Sequence, residues 1–421
     1  MRLELGTFFV KDVKFADKTA LTDGILFVDR QELHALLTKD TNIEQADVYV
    51  ARPGDETRIV HVLDVLEPRF KISPQGSTFP GSLGTPGSCG EGQTHRLSGV
   101  ALVSTADAEA RSAEFHEAIQ ESIIDMAGPG AELGPFGRMA NLILSLRPRG
   151  NCSIQEYENS LTLAGFRAAE YLGKATAKLK PDLLETFELV NADASLPRVV
   201  YIRVCDNDVT IYGQGTNHAS FIPTLLHPNE LLDGAVANIA WWAGNERNVT
   251  YTQTNDPVVK ALYARHAKEL NFVGVVVSGR SGRNYADKEH RARYVVKLAG
   301  LLGAQNAIIS WVKGGSSQID LMLTCQMCER SNVKTVLLVS CYGGPTGIDQ
   351  PFVFTVPEAT ALISNGNPDA TIHLPAMKRA VGGETIYETG QPALEPLVCS
   401  TRTVLGAANR MGFNCMTTGE Y

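Results

Sequence analysis

Cys325-Gln326-Met327-Cys328 carries the most suggestive chemistry in the chain. On a helix these thiols lie one turn apart, on the stripe that also holds Leu321, so they can pair as a redox couple or share a metal. Zinc would need two more ligands of similar kind, and no second C-x-x-C or His pair at finger spacing occurs, so no metal is expected. The same spacing suits two small side chains buried on an apolar helix face, since free cysteine is among the most often buried residue types. A thioredoxin-like motif would also open its helix, whereas this one falls mid-helix. His95 follows Gly90-x-Gly92-x-Thr94, and His218 follows Gly213 and Gly215. Both are therefore placed on flexible segments where functional groups are often displayed. Asp125 stands before Gly128-Pro129-Gly130, either as a free carboxylate or as the side chain of an Asx-type turn. Gly314-Gly315-Ser316-Ser317 leads straight into a helical pattern, so its amides could hold an anionic group, with Ser317 and Asp320 as a capping box. No G-x-x-x-x-G-K-[ST] occurs and no G-x-G-x-x-G follows a strand, which leaves nucleotide cofactors without sequence support.

The elements that would position these residues differ between the two halves of the chain. In the first half, 24–28, 47–51 and 100–104 read as short strands, and the Gly/Pro/Ser-rich stretch 73–92 as a long loop. Ile154, Tyr157, Leu161, Ala164, Ala168, Tyr171 and Ala175 recur at steps of three and four, predicting a helix. Ser153 and Glu156 form a capping box at its start. After a junction at 180–197 the texture changes. Strands are predicted at 198–204, 272–277, 307–310 and 335–339, with helices at 256–270, 284–302 and 317–330. Continuously apolar strands separated by helices argue for a parallel sheet covered on both faces. The expected fold is therefore α/β: a mixed α+β domain over 1–180 and a doubly wound, mostly parallel α/β domain over 197–421. Such sheets bind ligands beyond the carboxyl ends of their strands, here near Ser278, Gly314 and Gly343.

Composition bounds the partners. Hydrophobic residues are 44% and charged residues 20% of 421, as in an ordinary globular protein. The net charge is −8, and no dense Lys/Arg cluster offers a footprint for phosphates, which argues against nucleic acid. Met1 to Val13 mixes charges among its apolar residues, unlike a signal peptide, and runs such as Phe272 to Val277 are too short to span a bilayer. Eight scattered cysteines do not make a disulfide framework. A cytoplasmic location, away from membranes, is the expectation.

A resemblance covers nearly the whole chain. Met1-Arg2-Leu3-Glu4-Leu5-Gly6 with Lys11-Asp12-Val13, Ala51-Arg52-Pro53-Gly54, Glu67-Pro68-Arg69, and Gly92-x-Thr94-His95-x-Leu97-x-Gly99 come in order. Asp125-Met126-x-Gly128-Pro129-Gly130-Ala131, Lys268-Glu269-Leu270-Asn271-Phe272-Val273-Gly274 and the ending Gly412-Phe413-Asn414 with Tyr421 follow. Together they resemble the smaller, proprotein-encoded subunit of component B of glycine, sarcosine and betaine reductases. The resemblance implies a chain cut before a cysteine that becomes a pyruvoyl group, whose carbonyl forms a Schiff base with an amino substrate. A selenocysteine on a separate small protein then attacks the activated carbon. The cut would fall between Asp233-Gly234-Ala235 and Thr250-Tyr251. Here that stretch holds Ala240, Trp241, Trp242, Ala243, Gly244 and Asn245 and no cysteine, serine or threonine able to perform the acyl shift, so no pyruvoyl cofactor is expected. Asn151-Cys152 and Asn414-Cys415 imitate the scission dipeptide but are not placed like the family's cut. Trp241 and Trp242 either fill the vacated volume or wall a ligand site.

The resemblance therefore implies a non-pyruvoyl homologue of that subunit. Acting in an oligomer with a larger component-B-like subunit that carries Cys or Sec, it would serve in reductive or lytic cleavage of a carbon–heteroatom bond in a small substrate. The alternative is a catalytically inactive scaffold subunit. In the first case Cys325, Cys328, His95 and Asp125 are the catalytic candidates, and Trp241, Trp242, His218, Gly314 and Ser316 the substrate-binding ones. A single cleft is expected, formed by the Trp241–Trp242 loop and the Gly314–Ser317 turn and closed by the first half through His95 and Asp125.

Overall fold

The computed structural model describes residues 1–106, 121–150, 152–205, 209–214, 222–239, 248–279, 284–311, 314–350, 352–387 and 389–408. It is a mixed α/β protein built on several sheets. The longest follows from the apolar runs of the second half. Its order is Thr224–Leu226, Asn271–Gly279, Arg198–Cys205, Asn306–Trp311, Lys334–Val339, Leu362–Ser364. All neighbours are parallel except the Thr224–Leu226 edge. Alternation along the Arg198 strand divides its side chains between two clusters. Val200, Ile202 and Val204 pack with the helices Tyr285–Leu301 and Ser317–Arg330, while Val199 and Tyr201 pack with helix Pro257–Arg265.

Two four-stranded sheets carry the first half. One runs Leu183–Glu188, Arg2–Phe9, Gly92–Ser98, Arg69–Ser73, and the other Ile43–Ala51, Ala140–Pro148, Val100–Ala106, Val62–Leu66. Helix Ile154–Gly173 lays Tyr157, Leu161, Ala164 and Ala168 onto the second sheet, and its Ser153–Glu156 capping box forms. Leu3 and Leu5 share a core cluster with Tyr201, Phe272 and Val275, so one apolar layer spans the junction. Strand Leu183–Glu188 lies inside that junction and pairs with the first strand of the chain. Arg379–Val381 likewise returns to pair with Thr57–Ile59.

Several local expectations are corrected. The helix expected over 256–270 runs only Pro257–Arg265, capped by Asp256, because His266 leaves the helical region and Ala267 turns at φ +61°. Ser317 and Asp320 form no capping box. The Asp320 carboxylate pairs with Lys288, 2.5 Å away, and the Ser317 hydroxyl accepts from Trp311 Nε1 instead. Helix Tyr285–Leu301 ends as expected, with Gly303 at φ +63°, a left-handed turn that glycine adopts without strain. Among the described residues, no helix is long and apolar enough to cross a membrane.

Candidate functional site

The stretch from Asp233 to Thr250 enters and leaves the fold through buried anchors. Helix Pro228–Leu232 ends on Asp233, whose carboxylate accepts from Gly90 N at 2.7 Å, from Thr94 Oγ1 at 2.6 Å and from the Lys71 ammonium. That one side chain ties the glycine-rich loop to strands Arg69–Ser73 and Gly92–Ser98. At the other end, Thr250 donates both its amide (2.8 Å) and its hydroxyl (2.6 Å) to Asp64. The same hydroxyl accepts from Asn238 N at 3.0 Å. Residues 238 and 250, the two ends of this excursion, are thus held by one carboxylate and one hydroxyl. Trp241 and Trp242 belong to it and lie outside the described residues, as does His218. The expected approach of the Trp241–Trp242 loop to the Gly314–Ser317 turn therefore also lies outside them.

A polar chain runs from this excursion into the large sheet. Gln253 Nε2 donates to Asn248 O at 2.9 Å, and Arg203 Nη2 donates to Gln253 Oε1. Arg203 Nε lies 3.6 Å from Asp256, and Tyr201 OH shares a 2.8 Å hydrogen bond with Ser310. All are buried. Burial pushes the Asp256 carboxyl up despite Arg203, and burial with the nearby Asp256 charge pushes the Tyr201 phenol far up.

One turn away lies a second charged set. Glu67 accepts from Arg69 Nε (2.8 Å) and Asn255 Nδ2 (3.2 Å). Arg96 donates to Thr7, Asn255 and Glu185 at 2.8, 2.7 and 2.9 Å. Lys260 Nζ donates to Asn255 Oδ1 at 3.0 Å. Burial alone would raise the Glu67 carboxyl, but Arg69, Arg96 and Lys260 overcome it and hold it below the ordinary carboxylate range. Three cations thus face two carboxylates, each of them bonded to protein partners.

The candidates from the sequence are dispersed. Cys325 and Cys328 are fully buried in the cluster between helix Ser317–Arg330 and the sheet, with Leu321, Val333 and Leu337. Burial raises both thiols, Cys328 to about 12, so neither is a thiolate at neutral pH. Cys325 Sγ sits 3.2 Å from Thr335 Oγ1, while Cys328 faces apolar neighbours. We expect Cys328→Ser to cost about 1–3 kcal/mol in urea unfolding, since its hydroxyl is buried among apolar groups, with Cys325→Ser costing less beside Thr335. Equal stability of Cys328→Ser and parent would refute this packing account.

His95 is not on a flexible segment. It is inside strand Gly92–Ser98, buried, with Nδ1 3.1 Å from Thr176 O and its ring edge-on to Phe8 at 4.9 Å between centroids. Burial lowers its pKa. Asp125 makes neither a free carboxylate nor an Asx turn. It sits in the short strand Ile124–Asp125 opposite Arg58, which donates to it from Nε at 2.7 Å and Nη2 at 2.9 Å. His95 and Asp125 belong to different sheets. Ser316 is exposed at the helix start, and Gly314 lies under the Tyr342 ring, which its missing Cβ would approach to 3.2 Å. Among the described residues, no three His, Cys, Asp or Glu side chains are grouped to hold a metal.

Sequence reading missed Asp64, Arg203, Asp256 and Lys260. Glu67 and Arg69 enter the sequence reading only through the motif Glu67-Pro68-Arg69. Local spacing does not mark Asp64 and Glu67, whose partners Thr250 and Asn255 lie more than a hundred positions away, nor Arg203, whose partner Gln253 lies fifty away.

Relatives support the earlier resemblance. The chain is 34% identical to the "Glycine reductase complex component B subunits alpha and beta" of Acetoanaerobium sticklandii, over the whole of both chains. It is also 34% identical to the "Sarcosine reductase complex component B subunit alpha" of Peptoclostridium acidaminophilum, covering 92% of this chain and 91% of that one. With the "Betaine reductase complex component B subunit alpha" of the same organism it shares 32% identity, over 91% and 88%. No solved structure matches significantly. Since residues 1–419 match the family of glycine/sarcosine/betaine reductase component B subunits, the chain belongs to that family.

Proposed function

We propose that this chain is a non-pyruvoyl component B subunit that works with a larger, Cys- or Sec-bearing partner subunit in cleaving a carbon–heteroatom bond of a small substrate. The observation that carries the reading is the content of the anchored excursion. Residues 236–249 hold no Cys, Ser or Thr. A pyruvoyl group forms from such a side chain, so the residues present do not fit that group and no step is derived through it. The flanking anchors, Asp233 and the Asp64–Thr250 clasp, support an excursion that is still built as a site. In this reading Trp241 and Trp242 wall the substrate, His218, Gly314 and Ser316 contribute to its binding, and the partner supplies the attacking thiolate or selenolate.

Intact mass tests the first clause. The purified protein should remain one polypeptide of about 45.5 kDa. Two fragments, or a hydrazine-reactive N-terminus, would overturn it. Co-expression with the partner subunit tests the second clause through thiol-dependent release of a leaving group from candidate small substrates.

A scaffold role is the second reading, favoured by one observation: Cys325, Cys328, His95 and Asp125 are all engaged in packing or structural bonds. A scaffold predicts that Trp242→Ala leaves turnover of the assembled complex unchanged. The enzymatic reading predicts a raised KM at nearly unchanged stability.

A further inference from the structure

Leu183–Glu188 is the outer strand of its sheet. Arg2–Phe9 pairs with one side of it and, among the described residues, no strand pairs with the other. Phe187 is buried in the apolar layer, and its carbonyl accepts from Asn229 Nδ2 at 3.1 Å, which leaves Leu183–Thr186 as the open run of this edge. An exposed edge is normally guarded by charge or proline, yet this run opens on two leucines, and the Glu185 carboxylate is held by Arg96 at 2.9 Å. Leu183 and Leu184 are 43% and 49% exposed. Leu179 and Phe9, which line one groove with Asp182 at the start of the strand, are 41% and 49% exposed. The edge is therefore an apolar surface with unpaired backbone along it.

We propose that this edge joins a second copy of the chain, strand to antiparallel strand about a two-fold axis, so that the sheet continues across the join. The distribution of charge selects that occupant. Lys178 and Lys180 precede the strand and Glu188 ends it, all three exposed, and among the described residues neither Lys180 nor Glu188 has an ion-pair partner. An antiparallel copy of the same strand lays the basic end of each chain beside the acidic end of the other. A two-fold axis normal to the sheet keeps each face continuous, so one residue must oppose its own copy. Centred on Leu184, the axis sets the two Leu184 side chains together and places Lys180 beside Glu188 on both sides of the join. Centred on Glu185, it would oppose two Glu185 side chains and bring Asp182 against Glu188, like charge on like. The inference concerns the association of this chain with itself and is independent of the component B reading.

Light scattering tests it. The purified full-length chain at micromolar concentration should have twice the mass of one 45.5 kDa chain. Leu184→Lys puts a charge at the centre of the join and should give a monomer, with thermal unfolding unchanged because that side chain is half exposed. Lys180→Glu and Glu188→Lys should each weaken the dimer at least about tenfold, since either one sets two like-charge pairs across the axis. Mixed in equal amounts, those two variants should associate again, because each supplies the charge that the other lacks. A parent that is monomeric, or that pairs only with a larger partner subunit, overturns the proposal. So does a dimer that Leu184→Lys leaves intact, or a failure of the mixed variants to associate.

Discussion

Replacing Arg58 by Ala is expected to destabilise the protein by about 3–5 kcal/mol, because it leaves the Asp125 carboxylate buried without its counter-charge. Both side chains are wholly inaccessible to solvent. The guanidinium also donates to three backbone carbonyls, Pro375 O, Ala393 O and Glu395 O, at 2.9–3.0 Å. It therefore fastens the segment that follows the large sheet to strands Thr57–Ile59 and Ile124–Asp125. Losing it strands four acceptors at once. Arg58→Lys keeps the charge but forfeits the bidentate fork and most of the carbonyl contacts, so an intermediate loss is expected. The double variant Arg58→Met with Asp125→Leu removes both charges and should recover part of the loss, the carbonyls remaining bare. Urea titrations at neutral pH measure all three. A loss below about 1 kcal/mol for Arg58→Ala would mean that Asp125 is held by something else.

How much of this was legible in the sequence depends on the range of the interaction. The capping box at Ser153, the stripe of helix Ile154–Gly173, the Asn284 cap that accepts from Asp287 N, and the apolar strands of the second half all rest on neighbours within a turn or a run of six residues. Local pattern suffices for these. The Ser317–Asp320 cap was read by the same rule and did not form, because Lys288, on the preceding helix, took the carboxylate. His95 was misplaced for a similar reason. The glycines before it suggested a loop, but Gly92–Ser98 pairs in parallel with Arg2–Phe9, a partner nearly ninety residues earlier. The site is written almost wholly in such distant pairs: Asp64 with Thr250, Lys71 with Asp233, Glu67 with Asn255. Family motifs flagged two of these regions, Glu67-Pro68-Arg69 and Thr94-His95, though not what their side chains hold.

The second large effect is expected at Asp233, where Asp233→Ala should cost about 3–5 kcal/mol and also disorganise the entry to the 236–249 excursion. The Lys71 ammonium is buried and its other acceptor among the described residues is Glu91 O, so removal of the carboxylate leaves a charge with one backbone oxygen for company. Thr94 Oγ1 and Gly90 N lose their acceptor in the same change. Lys71→Met in the Asp233→Ala background removes the stranded ammonium and should restore stability without restoring the anchor. The two variants therefore separate stability from positioning. Limited trypsin digestion reads the positioning, since Arg247 offers a cleavage site within the excursion. Both variants should be cut there faster than the parent, by about tenfold for each 1.4 kcal/mol of lost restraint. If Lys71→Met/Asp233→Ala recovers stability and is cut no faster than the parent, then Asp233 serves only to neutralise Lys71. In that event the Asp64–Thr250 clasp alone holds the excursion in register.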